Sequence, residues 1–266
     1  MRGALVKALM IISFFLPMTG GFAAEHALFT ELLAEYVEDG SVDYNGMCDD
    51  QRLERYLHQI EQTDIQAFDS DNQAHAFWIN AYNALTLHGI CAKYPIKSMN
   101  DFHRGGLLLA AALGNTFWDR TKITLRGSSY SLKQIEHDVI HPSFQDPRSH
   151  LALACGAVSC PSLRNHAFEA ETLNEQLEDQ AGRFLSRSNI SFDDKTIQVS
   201  PLLKWNAAYF GDSREDILKF VLYHIGRDSL LISSEDIGRW RLNYAEYDLT
   251  LNRVPVSQSK SGGNNE

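Results

Sequence analysis

Apolar residues recur at helical spacing in several stretches of the chain, and the polar breaks between these stretches are short. Residues 28–37, 52–62 and 74–94 each have this spacing and each predict a helix. In the third stretch the apolar residues cover nearly the whole circumference of the predicted helix, and Pro95 follows its end. We therefore expect the third helix to be the buried centre of the fold.

Shorter stretches predict strands that pair with their neighbours in the chain. Residues 118–125 and 128–130 are joined at Arg126–Gly127, a dipeptide that favours a hairpin, and residues 190–199 predict a second hairpin around Asp193–Lys195. Val42 and Tyr44 predict a short extended piece, and residues 102–115, which end in GGLLLAAALGN, predict a buried turn or short helix.

Further helices are predicted after Ser131, which has Gln134 three positions on, and after Thr172, as well as over residues 201–209 and 212–224. No strand–helix–strand rhythm repeats, which argues against a doubly wound parallel sheet. The pattern predicts an α+β fold: a single mostly helical domain with short antiparallel hairpins.

The two ends of the chain differ from this globular pattern. Arg2 and Lys7 precede an apolar stretch over 8–18 that is too short to span a bilayer, and small residues follow at 21–23. Residues 1–23 predict a cleaved signal peptide, with an N-terminal anchor helix as the alternative. We expect the domain to cover 24–255, the polar tail 256–266 to be disordered, and the protein to be periplasmic or secreted.

The composition excludes several partners. The 266 residues carry a formal net charge of −10, which becomes more negative if Arg2 and Lys7 are removed. An acidic surface repels phosphates, so we expect neither nucleic acid nor anionic lipid as a partner. No later stretch predicts an integral membrane segment, and no phosphate loop or dinucleotide fingerprint is present, so no cofactor is expected.

Four cysteines remain after the predicted cleavage: Cys48, Cys91, Cys155 and Cys160. They allow three pairings, and they are too few for a disulfide-built scaffold. A bridge from Cys155 to Cys160 would close a small loop and contribute about 2 kcal/mol. We favour this bridge, or two buried structural thiols, over thiol chemistry, and thiol chemistry over zinc.

Five blocks carry a resemblance to a known family. They are FWINAYNALTLHGI, SLKQIEHDVI, DPRSHLALACGAVSCPSL, SPLLKWNAAYFG and YAEYDLTLN. In order and approximate spacing they resemble the domain of unknown function 547 family, as does the VDY of Val42–Tyr44, and the resemblance covers about residues 28–252. The closing block has Leu249 where the family has an aromatic residue. The resemblance implies bacterial members, often with signal peptides, and plant members, but no settled biochemistry.

Thiol chemistry would centre on Cys155, because a nucleophilic cysteine needs a nearby base to lower its pKa. His137 and His150 are the available bases, and Glu136 or Asp146 would orient one of them. Gly156 would allow a substrate or backbone to approach closely. Since Glu136 and His137 are adjacent on a helix, we expect only one of them to face Cys155. The histidine precedes the cysteine, the reverse of papain-like enzymes.

Zinc would use His137, His150, Cys155 and Cys160, but their spacing fits no known finger or ribbon. Asn80 and Asn83 lie on one face of the central helix. They would either present a polar wall to a substrate, with Asn80 holding an oxyanion, or bond the backbone near Cys155. We favour the second of these interpretations.

Three function classes remain. The first is a thiol-dependent hydrolase or acyl transferase of the cell envelope, using Cys155, His150, His137, Glu136 and Asn80. The second is a non-catalytic module that binds a small molecule, peptide, glycan or protein. The third is an envelope assembly factor. The sequence favours the first slightly and does not identify the substrate.

Overall fold

The structure is a computed structural model, and it describes residues 26–191, 194–211, 213–225 and 236–255. The predicted signal peptide, the predicted tail from 256, and Asp193 in the turn of the second predicted hairpin lie outside the described residues. The described chain is mostly helical, with small sheets only, and this confirms the α+β class.

The N-terminal region is built around one long helix. Its elements are α1 Ala27–Tyr36, β1 Val37–Glu38, β2 Ser41–Val42, α2 Tyr44–Asp49, α3 Gln51–Gln62, α4 Asp71–Cys91, a 3-10 turn Met99–Phe102, α5 Leu107–Ala112 and α6 Phe117–Arg120. Every residue of α4 from His75 to Leu87 is buried, so α4 is the central helix that the sequence predicts. A helix that is apolar all round must be enclosed on all sides, and α2 and α3 supply part of that enclosure.

A hairpin and a series of short helical turns follow. They comprise β3 Lys122–Leu125, β4 Ser128–Ser131, α7 Leu132–Gln134, a π-helical turn Ile135–Ile140, α8 His141–Phe144 and 3-10 turns at Pro147–Leu151 and Ala170–Thr172. The Ser131 side chain accepts from the Gln134 backbone, and the Gln134 side chain accepts from the Ser131 backbone. This capping box fixes where the chain leaves β4 and turns back against α4.

The C-terminal region has a second hydrophobic cluster. Its elements are α9 Leu173–Leu185, β5 Asn189–Ser191, β6 Thr196–Val199, α10 Leu202–Trp205, α11 Ala207–Phe210, α12 Arg214–Ile225, a 3-10 turn Ile237–Arg239 and β7 Arg241–Tyr244. β5 and β6 form the predicted hairpin, but β7 pairs parallel to β6, which the sequence pattern did not predict. Helix α9 contributes side chains to both clusters and thus joins the two regions.

The closing segment, residues 245–253, returns from β7 across the N-terminal region. The backbone N–H of Met99 donates to Leu249 O (2.9 Å), that of Val158 to Thr250 O (2.9 Å), and that of Val42 to Asn252 O (2.8 Å). These bonds tie together segments about 90 to 210 positions apart in the chain. They also hold Tyr247 against the loop that contains Cys155 and Cys160.

Several local predictions were wrong. Residues 118–120, expected in the first strand of the hairpin, lie in α6. Tyr44 begins α2 instead of extending a strand, because Asp43 caps the helix by accepting from the backbone of Asn45 and Gly46. Stretch 102–115 does contain a short helix, α5, but the helix is not buried: Leu108 is 89 % exposed.

Within the residues that the structure describes, no helix has both the length and the apolar character needed to cross a bilayer.

Candidate functional site

A cavity of about 790 Å³ brings together four of the predicted site residues: Glu136, His137, His150 and Cys155. Its wall takes side chains from both hydrophobic regions, including Tyr82 of α4 and Tyr247 of the closing segment. The volume lies within the range of small-molecule sites in proteins, roughly 300–1,000 Å³.

Glu136 and His137 both line this cavity, although only one was expected to face Cys155. The reason is local backbone geometry. Residues Ile135–Ile140 form a π-helical turn, which is wider than an α-helical turn, so adjacent side chains diverge by a smaller angle. Such turns are rare and frequently occur at functional sites.

Glu136 holds His150 from one side. The distance from His150 Nδ1 to Glu136 Oε1 is 2.9 Å, and the His150 side chain is 1 % exposed. A carboxylate beside Nδ1 favours the tautomer with the proton on Nδ1, so Nε2 carries a lone pair. Arg148 does not compete for Glu136, because it pairs with Asp146 at 2.7 Å and with Glu178 at 3.2 Å.

His150 Nε2 is buried and has no hydrogen-bond partner. The ring stacks on Tyr209, with centroids 3.9 Å apart and planes 8° from parallel. The Tyr209 hydroxyl in turn lies 2.5 Å from His137 Nδ1. Because most buried nitrogens in proteins are bonded, the unbonded Nε2 of this cavity-lining histidine needs an explanation, and a bound ligand would supply one.

A third histidine, His141, lies next to this pair, its ring centroid 3.7 Å from that of Tyr209. Burial, and then the nearby rings of His150 and His137, lower the pKa of His141. The pKa of Tyr209 is raised, first by burial and then by the charges of Glu136 and Asp138. The cluster therefore favours neutral His141 and Tyr209 around the Glu136–His150 pair.

The four cysteines are paired at disulfide distance, Cys48 with Cys91 and Cys155 with Cys160. Cys155 is partly exposed, whereas Cys160 is 1 % exposed. Gly156 adopts a φ of +81°, and a Cβ there would lie 2.5 Å from Ile90 Cδ1. The close approach at Gly156 is thus made by the protein core and not by a substrate.

Two tyrosine hydroxyls complete the polar part of the cavity. The Tyr247 hydroxyl lies 3.5 Å from Cys155 Sγ and 3.4 Å from Cys160 Sγ. Burial, and then the charge of Glu136, raises the pKa of Tyr247. Burial likewise raises the pKa of Tyr82, with smaller contributions from Glu136 and Tyr247. Both phenols therefore keep their protons at neutral pH and can donate hydrogen bonds.

Asn80 is not brought to the cavity. Both polar atoms of its amide bond the Phe168 backbone, Nδ2 donating to the carbonyl at 2.8 Å and Oδ1 accepting from the N–H at 2.9 Å. Asn83 makes the same pair of bonds to Ala152 O (3.0 Å) and Ala154 N (2.9 Å), directly before Cys155. The expected support of the Cys155 segment therefore comes from Asn83, and Asn80 supports a different loop.

Local sequence reasoning missed Tyr82 and Tyr247 as cavity residues, and it missed Tyr209 as the ring that stacks on His150. Tyr247 is 92 positions from Cys155, so no spacing rule connects them. The only signal was that each tyrosine falls within one of the five blocks. Trp205 and Asn206 also line the cavity, and the Trp205 ring lies 4.8 Å from that of Tyr247.

A metal would need three or more clustered ligands. In the described ranges, no group of three histidine, cysteine, aspartate or glutamate side chains is arranged to hold an ion. The predicted set His137, His150, Cys155 and Cys160 does not form one.

Comparison with known proteins gives one match. Residues 65–185 match the model of a family described as "Protein of unknown function, DUF547". The match spans the first three blocks and includes Glu136, His137, His150 and Cys155, while the blocks at 200–211 and 244–252 lie outside it. No curated protein and no solved structure matches this chain.

Proposed function

The chain belongs, through residues 65–185, to the DUF547 family, whose description names no activity, and we propose from the cavity itself that it is a thiol-dependent hydrolase or acyl transferase. The observation that carries the proposal is the His150 side chain on the cavity wall. Its Nδ1 is held by Glu136 at 2.9 Å, and its Nε2 is unbonded. An oriented imidazole with a free Nε2 is the arrangement that a general base requires.

Cys155 supplies the nucleophile once its bridge to Cys160 is opened. A dithiol reductant transfers two electrons and two protons to the bridge and itself becomes a disulfide. The partial exposure of Cys155 and the burial of Cys160 support Cys155 as the sulfur that a substrate reaches.

The reaction then follows the chemistry of these groups. His150 Nε2 takes the Cys155 thiol proton, and Sγ attacks the substrate carbonyl carbon, forming a C–S bond. The bond to the leaving group breaks, and His150 returns the proton to that group. The Tyr82 and Tyr247 hydroxyls are the donors available to the oxyanion. Water or a second acceptor, deprotonated by His150, then cleaves the thioester and regenerates the thiol.

The proposal is tested on the Cys160→Ser variant, in which Cys155 has no partner for a bridge. The rate of iodoacetamide alkylation at Cys155 is measured at neutral pH by peptide mapping. We expect His150→Gln in this background to slow alkylation at least tenfold, because the thiolate loses its base. Incubation with p-nitrophenyl acetate should release a burst of nitrophenol and leave an acetyl group on Cys155.

His58→Gln is the matched control, since the His58 side chain is 71 % exposed and does not line the cavity. If His150→Gln unfolds the protein, Glu136→Gln tests the same base without changing the ring. Equal alkylation rates in the His150, Glu136 and His58 variants, with no acetyl group on Cys155, would refute the proposal.

The bridge between Cys155 and Cys160 favours a second candidate, a non-catalytic binding module. With the bridge closed, no thiol is present and the cavity is simply a ligand site. This candidate predicts that a Cys155→Ser/Cys160→Ser protein retains its full function in the cell. Loss of function in that protein, at unchanged abundance, would contradict it.

We also propose that the protein is exported to the periplasm or secreted. The basic and apolar pattern of residues 1–23 supports this, as does the pairing of all four cysteines, because disulfides persist in oxidising compartments. Mass spectrometry of native material should find the mature chain starting at or near Ala24. An intact Met1 would contradict export with cleavage.

A further inference from the structure

The cavity has a large apolar wall, whereas the groups to which the proposed chemistry is assigned are polar. Apolar side chains from four parts of the chain contribute to it: Leu107, Leu108, Leu153, Leu202, Trp205 and Leu249. Burying such surface against a ligand contributes roughly 25 cal/mol per Å². The wall therefore favours a substrate with an extended apolar portion.

Helix α5 presents apolar side chains that the protein core does not cover. Leu108 lines the cavity and is 89 % exposed, and Trp205, also on the cavity wall, is 60 % exposed. Gly105 and Gly106, with φ of +80° and +91°, turn the chain into α5 by adopting backbone conformations that other residues avoid. Clustered apolar side chains exposed at the rim of a cavity are typical of a ligand-binding surface.

The charges on the cavity wall disfavour an anion. Asp119 and Glu136 line it, and within the described residues Lys133 is the only lysine or arginine that does so. Lys133 lies 3.3 Å from Asp119 and forms an ion pair with it. A carboxylate or phosphate brought into this cavity would meet no unpaired cation and would be repelled by Glu136.

We propose that the substrate is a neutral ester of an apolar acyl chain, with the chain against Leu108 and Trp205 and the carbonyl carbon beside Cys155. This inference rests on the proposed function. The cavity volume of about 790 Å³ admits a chain of this kind, whereas a folded macromolecule does not fit into it.

Binding is tested without catalysis in the Cys155→Ser/Cys160→Ser protein, by displacement of the neutral fluorescent probe N-phenyl-1-naphthylamine. We expect ethyl octanoate to displace the probe at a concentration at least tenfold below that of the octanoate anion, and ethyl acetate to be weaker still. Leu108→Gln should weaken ethyl octanoate binding about tenfold. Leu113→Gln is the matched control, because Leu113 is 69 % exposed and does not line this cavity. If octanoate binds as tightly as its ester, or if both leucine variants behave alike, the substrate class is wrong.

Turnover is tested with p-nitrophenyl esters from acetate to octanoate on Cys160→Ser. We expect kcat/KM to rise up to about fourfold for each methylene that becomes buried. A kcat/KM that is independent of chain length, with a nitrophenol burst still present, would overturn the substrate class and leave the proposed function standing. Displacement of the probe by ethyl octanoate with no acyl group on Cys155 would overturn the proposed function and leave the acyl site standing.

Discussion

The two disulfides lie in different physical settings. Cys48 and Cys91 are 43 positions apart and join α2 to the last residue of α4, with Cα atoms 5.1 Å apart. Cys155 and Cys160 are five positions apart within one loop, and Cys155 lies on the cavity wall with the Tyr247 hydroxyl beside both sulfurs.

The difference between the two bridges is that the first mainly stabilises the fold, whereas the sulfurs of the second are held in position by their surroundings. A bridge restricts the unfolded chain more strongly when it closes a longer loop. The first bridge closes a long loop and fastens two helices, whereas the second restricts the unfolded chain little. The Asn83 side chain bonds the backbone directly before Cys155, and the Tyr247 hydroxyl lies beside the Cys155 sulfur. These contacts fix where the sulfurs of the second bridge lie. The second bridge therefore contributes less to stability than the first, and its Cys155 lies on the cavity wall.

The largest expected effect is on the first bridge. Replacing Cys48 and Cys91 by serine should lower the free energy of unfolding by about 4 kcal/mol, because a loop of this length is no longer closed in the unfolded chain. Urea denaturation followed by circular dichroism measures the loss. Alkylation of Cys155 in the Cys160→Ser background should stay unchanged in the population that remains folded. A loss below 1 kcal/mol would show that this bridge is not the stabilising one.

A smaller effect is expected for Asn83→Leu. The change leaves Ala152 O and Ala154 N without partners in the protein interior, which should cost about 3 kcal/mol. Asn80→Leu is the matched control, because it removes the same two kinds of bond from Phe168.

Both asparagine variants should be destabilised to a similar extent in urea. In the Cys160→Ser background, only Asn83→Leu should change the alkylation rate of Cys155. If Asn80→Leu changes that rate as much, the positioning role assigned to Asn83 is wrong.

The smallest expected effect is on the second bridge. Replacing Cys155 and Cys160 by serine should lower the free energy of unfolding by about 2 kcal/mol, since the loop that it closes is short. The same urea titration compares this variant with Cys48→Ser/Cys91→Ser. A loss equal to that of the long-loop variant would abolish the distinction between the two bridges.

Elements whose side chains repeat in a regular pattern were predictable. The central helix, the hairpin at Arg126–Gly127 and the cap at Ser131 depend on contacts within a few positions of one another, and the structure confirms each. The outward-facing helix α5 was not predictable, because an apolar stretch alone does not distinguish a core from a ligand-binding surface. Leu108 has the residue type of a core position and the exposure of a surface position.

For the candidate site, likewise, the residue types were predictable from the sequence and their contacts were not. The sequence by itself determined the residue types Glu136, His137, His150 and Cys155, and the block pattern that marks the family. Only the tertiary structure decided that Glu136 is bonded to His150 and that Asn80 is bonded to the Phe168 backbone. It also decided that Tyr247 reaches both sulfurs of a bridge about 90 positions earlier in the chain. The physical reason is that hydrogen bonds and cavity walls depend on distances in space, and the returning segment 245–253 sets those distances through backbone bonds that no local pattern encodes.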